Sequence, residues 1–290
     1  REVDVRSLFR RENRLGLFVV LPFALFVGVF LVYPTLVVLY KAVTPDGSFG
    51  TSALVRAVSG TYRTGFLNSL ALSGWSALIG GIVGILLALT IKSLERPRWL
   101  HPTLDSWSAV ASQLGGVGLA FAFIATIGAQ GILTKVFMNF GISLSDYGVS
   151  TTGFWGLVVV YLYFQIPLMF LVMMPAVNGL KDSWREAAAI MGASPARYWR
   201  TVGIPILSPS ALGGILLLFV NSFTAYATAY VLNASGALVP LQIRFLLQGN
   251  VITGEEDLGN AIVAWVILLL LSALLLITFL QRRTLKWTSS

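Results

Sequence analysis

The side chains most able to act on a partner lie in one polar stretch, KDSWREAAAIMGASPARYWRTVGIP, at residues 181–205 between long apolar runs. Ser183 is followed three residues later by Glu186, the spacing of a capping box at a helix N-terminus. Gly192 tolerates the positive φ of a tight turn, and Ser194 followed by Pro195 is typical of a second helix start. The stretch therefore predicts two short helices joined by a turn, and its chemistry is recognition by a partner.

The first of these helices is predicted to carry apolar side chains on one face. That face is formed by Trp184, Ala187, Ala188 and Met191, which recur at helical spacing. Arg185 and Glu186 lie elsewhere on the helix surface, where water or another protein can reach them.

A second group of candidates consists of polar side chains inside apolar runs. Its members are Tyr161 and Gln165, one helical turn apart, and Asn221, Thr224 and Thr228 on one predicted helical face, with Tyr226 nearby. Polar groups within a membrane need hydrogen-bond partners. They either line a wet substrate pathway or bond to neighbouring helices, and the sequence leaves both interpretations open.

Several classes of chemistry lack the residues that they need. The chain contains no cysteine and a single histidine, His101, so it offers no thiolate site and no histidine cluster for a metal. No G-x-x-x-x-G-K-[ST] phosphate loop is present, so ATP hydrolysis by that route is excluded. The chain is therefore predicted not to be an enzyme, to have no catalytic residue and to hold no metal or cofactor of its own.

The polar stretch and the polar candidates are carried by membrane helices. Of 290 residues, 56% are apolar and only 11% charged, against roughly 25% charged in a soluble domain. Because about 20 apolar residues span a bilayer, the sequence predicts an all-α membrane protein, a single transmembrane domain over residues 1–290. The six predicted spans are residues 15–40, 66–91, 106–129, 154–177, 208–231 and 258–280.

Small residues and charges in this pattern indicate how the spans pack and which way they point. The second span carries a small-residue stripe at helical spacing that favours close packing of another helix: Ser69, Ser73, Ser76, Gly80 and Gly84. With the N-terminus placed inside, 15 of the 20 Lys and Arg residues fall in inside segments. This bias predicts cytoplasmic N- and C-termini and a cytoplasmic 181–205 loop, and it explains the net charge of +8 without nucleic acid.

The loop also resembles a known family. Glu186-Ala187-Ala188, three residues, Gly192, nine residues and then Val202-x-Ile204-Pro205 is similar to the EAA loop of permease subunits of bacterial ABC importers, usually E-A-A-x3-G-x9-I-x-L-P. The two departures, Val202 and Ile204, keep apolar side chains of similar size. The resemblance implies the type I importer permease fold in a bacterial inner membrane.

What the resemblance implies about mechanism is docking. In this family the EAA loop sits in a groove of a cytoplasmic ATPase, and closure of two ATPases on ATP rocks the permeases from inward- to outward-facing. The coupling residues implied here are Arg185, Glu186, Ala187, Ala188, Gly192, Ser194 and Pro195. The implied partners are two ATPase subunits carrying ATP and Mg²⁺, a second permease of different sequence, an extracellular or periplasmic substrate-binding protein and membrane lipid.

The cargo is the least constrained inference. The segment from Tyr161 to Val231 resembles permeases of the polyamine, phosphonate and ferric-ion group, so a small organic solute such as a polyamine is the first expectation. Phosphonate, ferric-ion or sugar importers are alternatives within the class. An ion-coupled secondary carrier is the alternative from another class, although the predicted spans contain no Asp, Glu, Lys, Arg or His for an ion path.

Overall fold

The computed structural model describes residues 20–94, 99–142, 150–232, 238–247 and 255–288. Within these ranges the regular elements are helices. The basic segment 1–14, the first five residues of the predicted first span, and Arg96 and Arg98 lie outside the described residues. Their contribution to the charge bias therefore remains a prediction.

The helices follow the apolar runs, because a backbone in hydrocarbon must satisfy its own hydrogen bonds. In chain order they are α1 Val20–Val43, α2 Ser52–Ala57, α3 Gly60–Ser93, α4 Leu100–Gln113, α5 Gly116–Ile127, α6 Ile132–Asn139, α7 Phe154–Asn178, α8 Asp182–Ile190, α9 Pro195–Thr224, α10 Ala227–Leu232, α11 Val239–Leu247 and α12 Glu256–Thr288. Six segments in the described ranges are long and apolar enough to cross a membrane, which confirms the predicted number.

The third predicted span, 106–129, is wrong as a single helix. Helix α4 ends at Gln113 and α5 begins at Gly116, whose φ of 74° belongs to the left-handed region that glycine adopts without strain. The third candidate span is Gly116–Asn139, made of α5 and α6 in succession.

The fifth predicted span, 208–231, is also broken. Helix α9 ends at Thr224, Ala225 is extended with ψ of 98°, and α10 starts at Ala227. At its other end α9 begins at Pro195, well before the predicted start of the span. The second half of the polar stretch, from Pro195, and the fifth span as far as Thr224 are thus one continuous helix of 30 residues.

The centre of the bundle is the seam between α3 and α7. The predicted small-residue stripe is buried along this seam and against neighbouring helices, with Ser76 fully buried. A Cβ added at Gly84 would lie 2.5 Å from the Cβ of Met169 and 2.9 Å from the carbonyl oxygen of Ile166. The stripe therefore serves packing, and it lets α7 approach closer than any larger residue allows.

Polar contacts tie together the connections at each end of the bundle. At one end Arg56 forms an ion pair with Glu255 at 2.8 Å, joining α2 to the start of α12. At the other end Lys92 Nζ donates to the carbonyl oxygen of Val177 at 2.8 Å and also to that of Leu180. Lys92 thereby satisfies two carbonyls at the C-terminal end of α7, next to the polar stretch. Alternate connections meet at opposite ends, as a six-span topology requires.

Candidate functional site

The polar stretch forms a helical hairpin, which we call the coupling hairpin, residues 182–203. Its turn is a Schellman motif: the N–H of Ala193 donates to the carbonyl of Ala188 and that of Gly192 to the carbonyl of Ala189, both at 2.9 Å. Gly192 has a φ of 75°, as the sequence predicts. The Ser194 hydroxyl accepts the Arg197 N–H at 3.3 Å, so the predicted cap of the second helix is confirmed.

The predicted capping box of the first helix is wrong. Helix α8 starts at Asp182 with Lys181 at the cap position, and no side chain caps it. The N–H of Trp184 instead donates to the Lys181 carbonyl at 3.1 Å. Ser183 therefore lies inside the first turn, too late to be the cap residue, while Asp182 places a carboxylate where the helix dipole favours it.

Most of the hairpin surface is uncovered. Of the predicted apolar face only Ala188 is buried, at 7% exposure, whereas Met191 is 79% and neighbouring Ile190 is 87% exposed. Arg185 and Glu186 are exposed as well. Most of the stability of an amphipathic helix comes from packing its apolar face against other elements. The uncovered side chains of Ile190 and Met191 at the tip of the hairpin therefore form a surface suited to another protein.

The hairpin is joined to the bundle without a hinge. The second helix is the first part of α9, which passes through one wide π-helical segment, Trp199–Gly203, and continues to Thr224. Pro205 lies two residues after the end of this segment and has no N–H to donate, so a wider turn before it accommodates the missing hydrogen bond. A Cβ at Gly203 would lie 2.4 Å from the Trp199 ring, which explains why glycine closes the segment.

A polar cavity lies where the two helix breaks meet. This break cavity has a volume of about 200 Å³. It is lined by Ser112, Gln113, Gly115, Gly116, Phe164, Asn221, Ala225 and Thr228. Two of the six pathway candidates, Asn221 and Thr228, are therefore brought together. Interrupted helices that line a cavity at membrane depth are a common way to place polar groups around a solute.

Two predicted pathway residues hold the breaks in place. Thr228 Oγ1 accepts the Gly116 N–H at 2.8 Å and donates to the Gly116 carbonyl at 3.2 Å. The Tyr161 hydroxyl, on a side chain that is 1% exposed, donates to the Ala225 carbonyl at 3.0 Å. Each side chain thus satisfies backbone groups that the end of a helix leaves without an intrahelical partner.

Two other candidates, Gln165 and Thr224, do not line the cavity. Gln165 is fully buried and donates to Ser76 Oγ at 2.8 Å, which in turn is 2.9 Å from Ser222 Oγ. Thr224 is exposed and bonds back to the Val220 carbonyl at 2.9 Å. Because the helix breaks at Ala225, Thr224 and Thr228 do not share a helical face as the sequence predicts.

The sixth candidate, Tyr226, is engaged by an arginine. The Arg244 guanidinium hydrogen-bonds the Tyr226 hydroxyl and lies 4.0 Å from the ring centre of Tyr230. The two tyrosine rings are stacked at 5.5 Å. The bond to Tyr226 raises the pKa of Arg244, so the cation is kept. Tyr226 is therefore already paired with a cation of the chain itself.

The lining residues from α4 and α5 were not predicted as pathway residues. Ser112 and Gln113 end α4, and Gly115 and Gly116 form the break that follows. The signal available in the sequence was the cluster of glycines at 115, 116 and 118, which is unfavourable in a helix interior. Their proximity to Asn221 depends on long-range packing.

This division predicts different outcomes for two similar substitutions. Asn221→Leu places an apolar side chain in the break cavity; if this cavity belongs to the substrate pathway that the sequence predicts, uptake should fall about tenfold or more with normal insertion. Gln165→Leu removes one bond to Ser76 and an Oε1 atom that has no partner among the described residues, so we expect nearly unchanged uptake. Uptake into vesicles, normalised to the amount of inserted protein, measures both; equal losses would contradict the assignment.

Comparison with known proteins places this architecture in a family. Residues 80–287 match the family described as binding-protein-dependent transport system inner membrane component. Ferric transport system permease protein FbpB of Actinobacillus pleuropneumoniae is 23% identical over 249 residues, 86% of this chain and 35% of that protein. A ferric-transport relative from Haemophilus influenzae is matched over 34% of its length. The chain spans about a third of the length of these two relatives.

Two further comparisons cover most of this chain and most of the protein compared with it. Spermidine/putrescine transport system permease protein PotC of Haemophilus influenzae is 27% identical over 218 residues, 75% of this chain and 76% of that protein. The crystal structure of a bacterial ABC transporter involved in alginate import has a chain with a TM-score of 0.75 at 17% identity. It covers 96% of this chain and 98% of that chain, and it shows the same fold. The matched segment includes the coupling hairpin and both helix breaks, and this chain belongs to the family of inner membrane components of binding-protein-dependent transport systems.

Proposed function

We propose that this chain is the membrane-spanning permease subunit of an ATP-driven importer, and that its coupling hairpin receives the motion of a cytoplasmic ATPase. One observation carries the proposal. The hairpin exposes Ile190 and Met191 at its tip, and its second helix continues unbroken through the π-helical segment into the fifth span. A rigid element that is uncovered at one end and embedded at the other transmits a displacement, whereas a flexible loop absorbs it.

The break cavity is the part of the bundle that such a displacement would open and close. Asn221 lies in the last turn of α9, so a tilt of α9 moves one wall of the cavity directly. The opposite wall, from α4 and α5, is linked to α10 through the Thr228–Gly116 hydrogen bonds. The second helix of the coupling hairpin and one wall of the break cavity thus belong to the same helix, α9.

The partners follow from this arrangement. Two ATPase subunits carry ATP and Mg²⁺, a second permease encloses the other half of the pathway, and an external binding protein delivers the cargo. The hairpin and both chain termini lie in the cytoplasm of the bacterial cell. Permeases of ABC importers support these assignments through the shared fold and the EAA-like sequence at residues 186–205.

The cargo is a small solute whose selection rests mainly with the binding protein. Relatives transport ferric ion or spermidine and putrescine, according to their names. A polyamine remains the first candidate from the sequence, but Tyr226, the aromatic face that could hold its ammonium groups, is occupied by Arg244. Stimulation of ATPase activity by the binding protein loaded with spermidine, ferric ion or a phosphonate identifies the cargo.

The exposed tip provides a direct test of docking. Ile190→Asp should weaken association with the ATPase subunits at least tenfold and abolish uptake, because it puts a charge into an apolar contact. Folding should be unaffected, since Ile190 is 87% exposed. Phe49→Asp is the matched control, an equally exposed apolar residue at 83% in the connection between α1 and α2. Copurification of the ATPase and ATP-dependent uptake measure both variants.

The same assay separates the importer from an ion-coupled carrier. An importer stops when ATP is withdrawn and ignores collapse of the ion gradient. Uptake that persists without nucleotide, or an Ile190→Asp variant that copurifies with the ATPase and transports normally, would overturn the proposal.

A further inference from the structure

Two adjoining cavities lie where the base of the coupling hairpin meets the bundle. The first, here the basal cavity, has a volume of about 260 Å³ between the end of α3 and the hairpin. The second, here the lateral groove, has a volume of about 450 Å³ between α3 and α9. Leu89 and Trp199 line both, so the two spaces are direct neighbours. The lateral groove alone is in the size range of ligand sites, roughly 300–1,000 Å³.

The basal cavity has the chemistry of an anion site. Three cationic side chains, Lys92, Lys181 and Arg185, line it together with one carboxylate, Asp182. The bonds from Lys92 Nζ to the Val177 and Leu180 carbonyls fix this ammonium at the wall of the cavity. The three cationic residues come from two separate elements and outnumber the single carboxylate, so the lining carries a net positive charge.

The lateral groove has the opposite character. Its lining side chains are aliphatic apart from Ser208, whose hydroxyl donates to the Pro205 carbonyl at 3.0 Å, and the largely apolar ring of Trp199. Ile204, 58% exposed, and Leu212, 43% exposed, form its rim on the helix surface. The groove offers mainly apolar contact, which suits a hydrocarbon chain.

We propose that one anionic phospholipid occupies both spaces, with its phosphate in the basal cavity and an acyl chain in the lateral groove. A free anion would use only the first space and a neutral apolar molecule only the second, whereas an anionic lipid matches both at once. Trp199, whose ring lies between the two, sits at the level where aromatic side chains border the headgroups of a membrane. The lipid belongs to the leaflet on the side of the hairpin.

The site holds the base of the hairpin against α3. Lys181 and Arg185 belong to the start of α8, whereas Lys92 ends α3. These three side chains are all cationic and cannot pair with one another. A phosphate that binds them together adds an attachment between the hairpin and the bundle. The lipid therefore acts as a brace, and this role is independent of which cargo the protein carries.

The test is lipid binding to the purified full chain, freed of endogenous lipid in non-ionic detergent. Phosphatidylglycerol, phosphatidylcholine with the same acyl chains, and inorganic phosphate are added separately, and bound lipid is counted by native mass spectrometry. We expect one saturable phosphatidylglycerol per chain and at least tenfold weaker binding of phosphatidylcholine. Millimolar inorganic phosphate should not displace the lipid, because it cannot occupy the lateral groove.

Variants test the two spaces separately. Lys181→Gln combined with Arg185→Gln should lower phosphatidylglycerol affinity on the order of 30-fold, from the usual contribution of a basic residue near a membrane surface. Arg197→Gln with Arg200→Gln, the same charge change on the same hairpin but outside the cavity, should leave affinity unchanged. Ala211→Phe fills the groove and should weaken binding about tenfold, while Ala71→Phe, on an exposed part of α3, should not.

The opposite results are equally clear. Equal affinity for phosphatidylcholine, displacement by inorganic phosphate, or the same loss in the control pair would each overturn the assignment of an anionic lipid to this site. Unchanged binding in Ala211→Phe would exclude the groove as its acyl site. Melting curves of each variant confirm that the chain is folded, so a loss of binding is attributable to the site.

Discussion

Replacing Gly192 by valine should reduce ATP-dependent uptake roughly 5- to 30-fold while leaving the protein inserted in the membrane. Gly192 has a φ of 75°, and a residue with a side chain pays about 1–2 kcal/mol in this region, with β-branched residues at the unfavourable end. No atom lies within 4 Å of a Cβ placed there, so the effect comes from the backbone and not from a collision. The Schellman bonds of Ala193 and Gly192 are lost with the turn, and the hairpin no longer presents its tip in the docking geometry.

The matched substitution is Gly192→Asn. Asparagine enters the left-handed region more readily than other residues, so uptake should stay within about twofold of the parent protein. Vesicle uptake in the presence of the ATPase subunits, with insertion measured by the amount of protein in the membrane, compares the two. Normal transport by the valine variant would show that the turn is not needed for coupling; equal loss in both would point to the side chain and not to φ.

Gly84→Ala should lower stability more than its single methyl group suggests, by roughly 1–3 kcal/mol. The new Cβ would lie 2.5 Å from the Cβ of Met169 and 2.9 Å from the Ile166 carbonyl. Neither can turn away, because a Cβ and a carbonyl oxygen are fixed to the backbone, so α3 and α7 must separate along the central seam. Thermal unfolding in detergent should show a clearly lower apparent melting temperature.

Gly74→Ala on the same helix provides the control. Nothing lies within 4 Å of a Cβ at Gly74, so the alanine gains helix propensity without a collision. Its melting temperature should be unchanged or slightly higher. If Gly84→Ala melts like Gly74→Ala, the close approach of α3 to α7 is wrong.

The local features of the coupling hairpin were predictable because they depend on neighbours in the chain. Gly192 at the turn and Ser194 as a cap are short-range chemistry, and both are found as predicted. The capping box failed at the same scale, since Ser183 and Asp182 compete for the start of one helix and the structure starts it at Asp182. The residue pattern is compatible with a helix that starts at either position, and the two starts differ by a shift of one or two residues.

The arrangement of the pathway residues was not predictable from the sequence. Asn221, Thr224 and Thr228 share a face only on an uninterrupted helix, and the interruption at Ala225 is stabilised by Tyr161, 64 positions earlier in the chain. Thr228 likewise bonds Gly116, 112 positions away. The sequence identified polar side chains in apolar runs that need hydrogen-bond partners. Only the packing of the helices shows that some of these partners are backbone groups at helix ends.

The sequence by itself determined the membrane class, the number of spans and the polar hairpin, because hydrophobic run length and local turn chemistry act within about 20 residues. The tertiary structure alone decided where helices break, which polar side chains meet in the break cavity, and that the second helix of the hairpin and the fifth span are one helix. The physical reason is that every backbone group in hydrocarbon must be satisfied. A break is therefore stable where other groups supply the missing hydrogen bonds, as the distant side chains of Tyr161 and Thr228 do here.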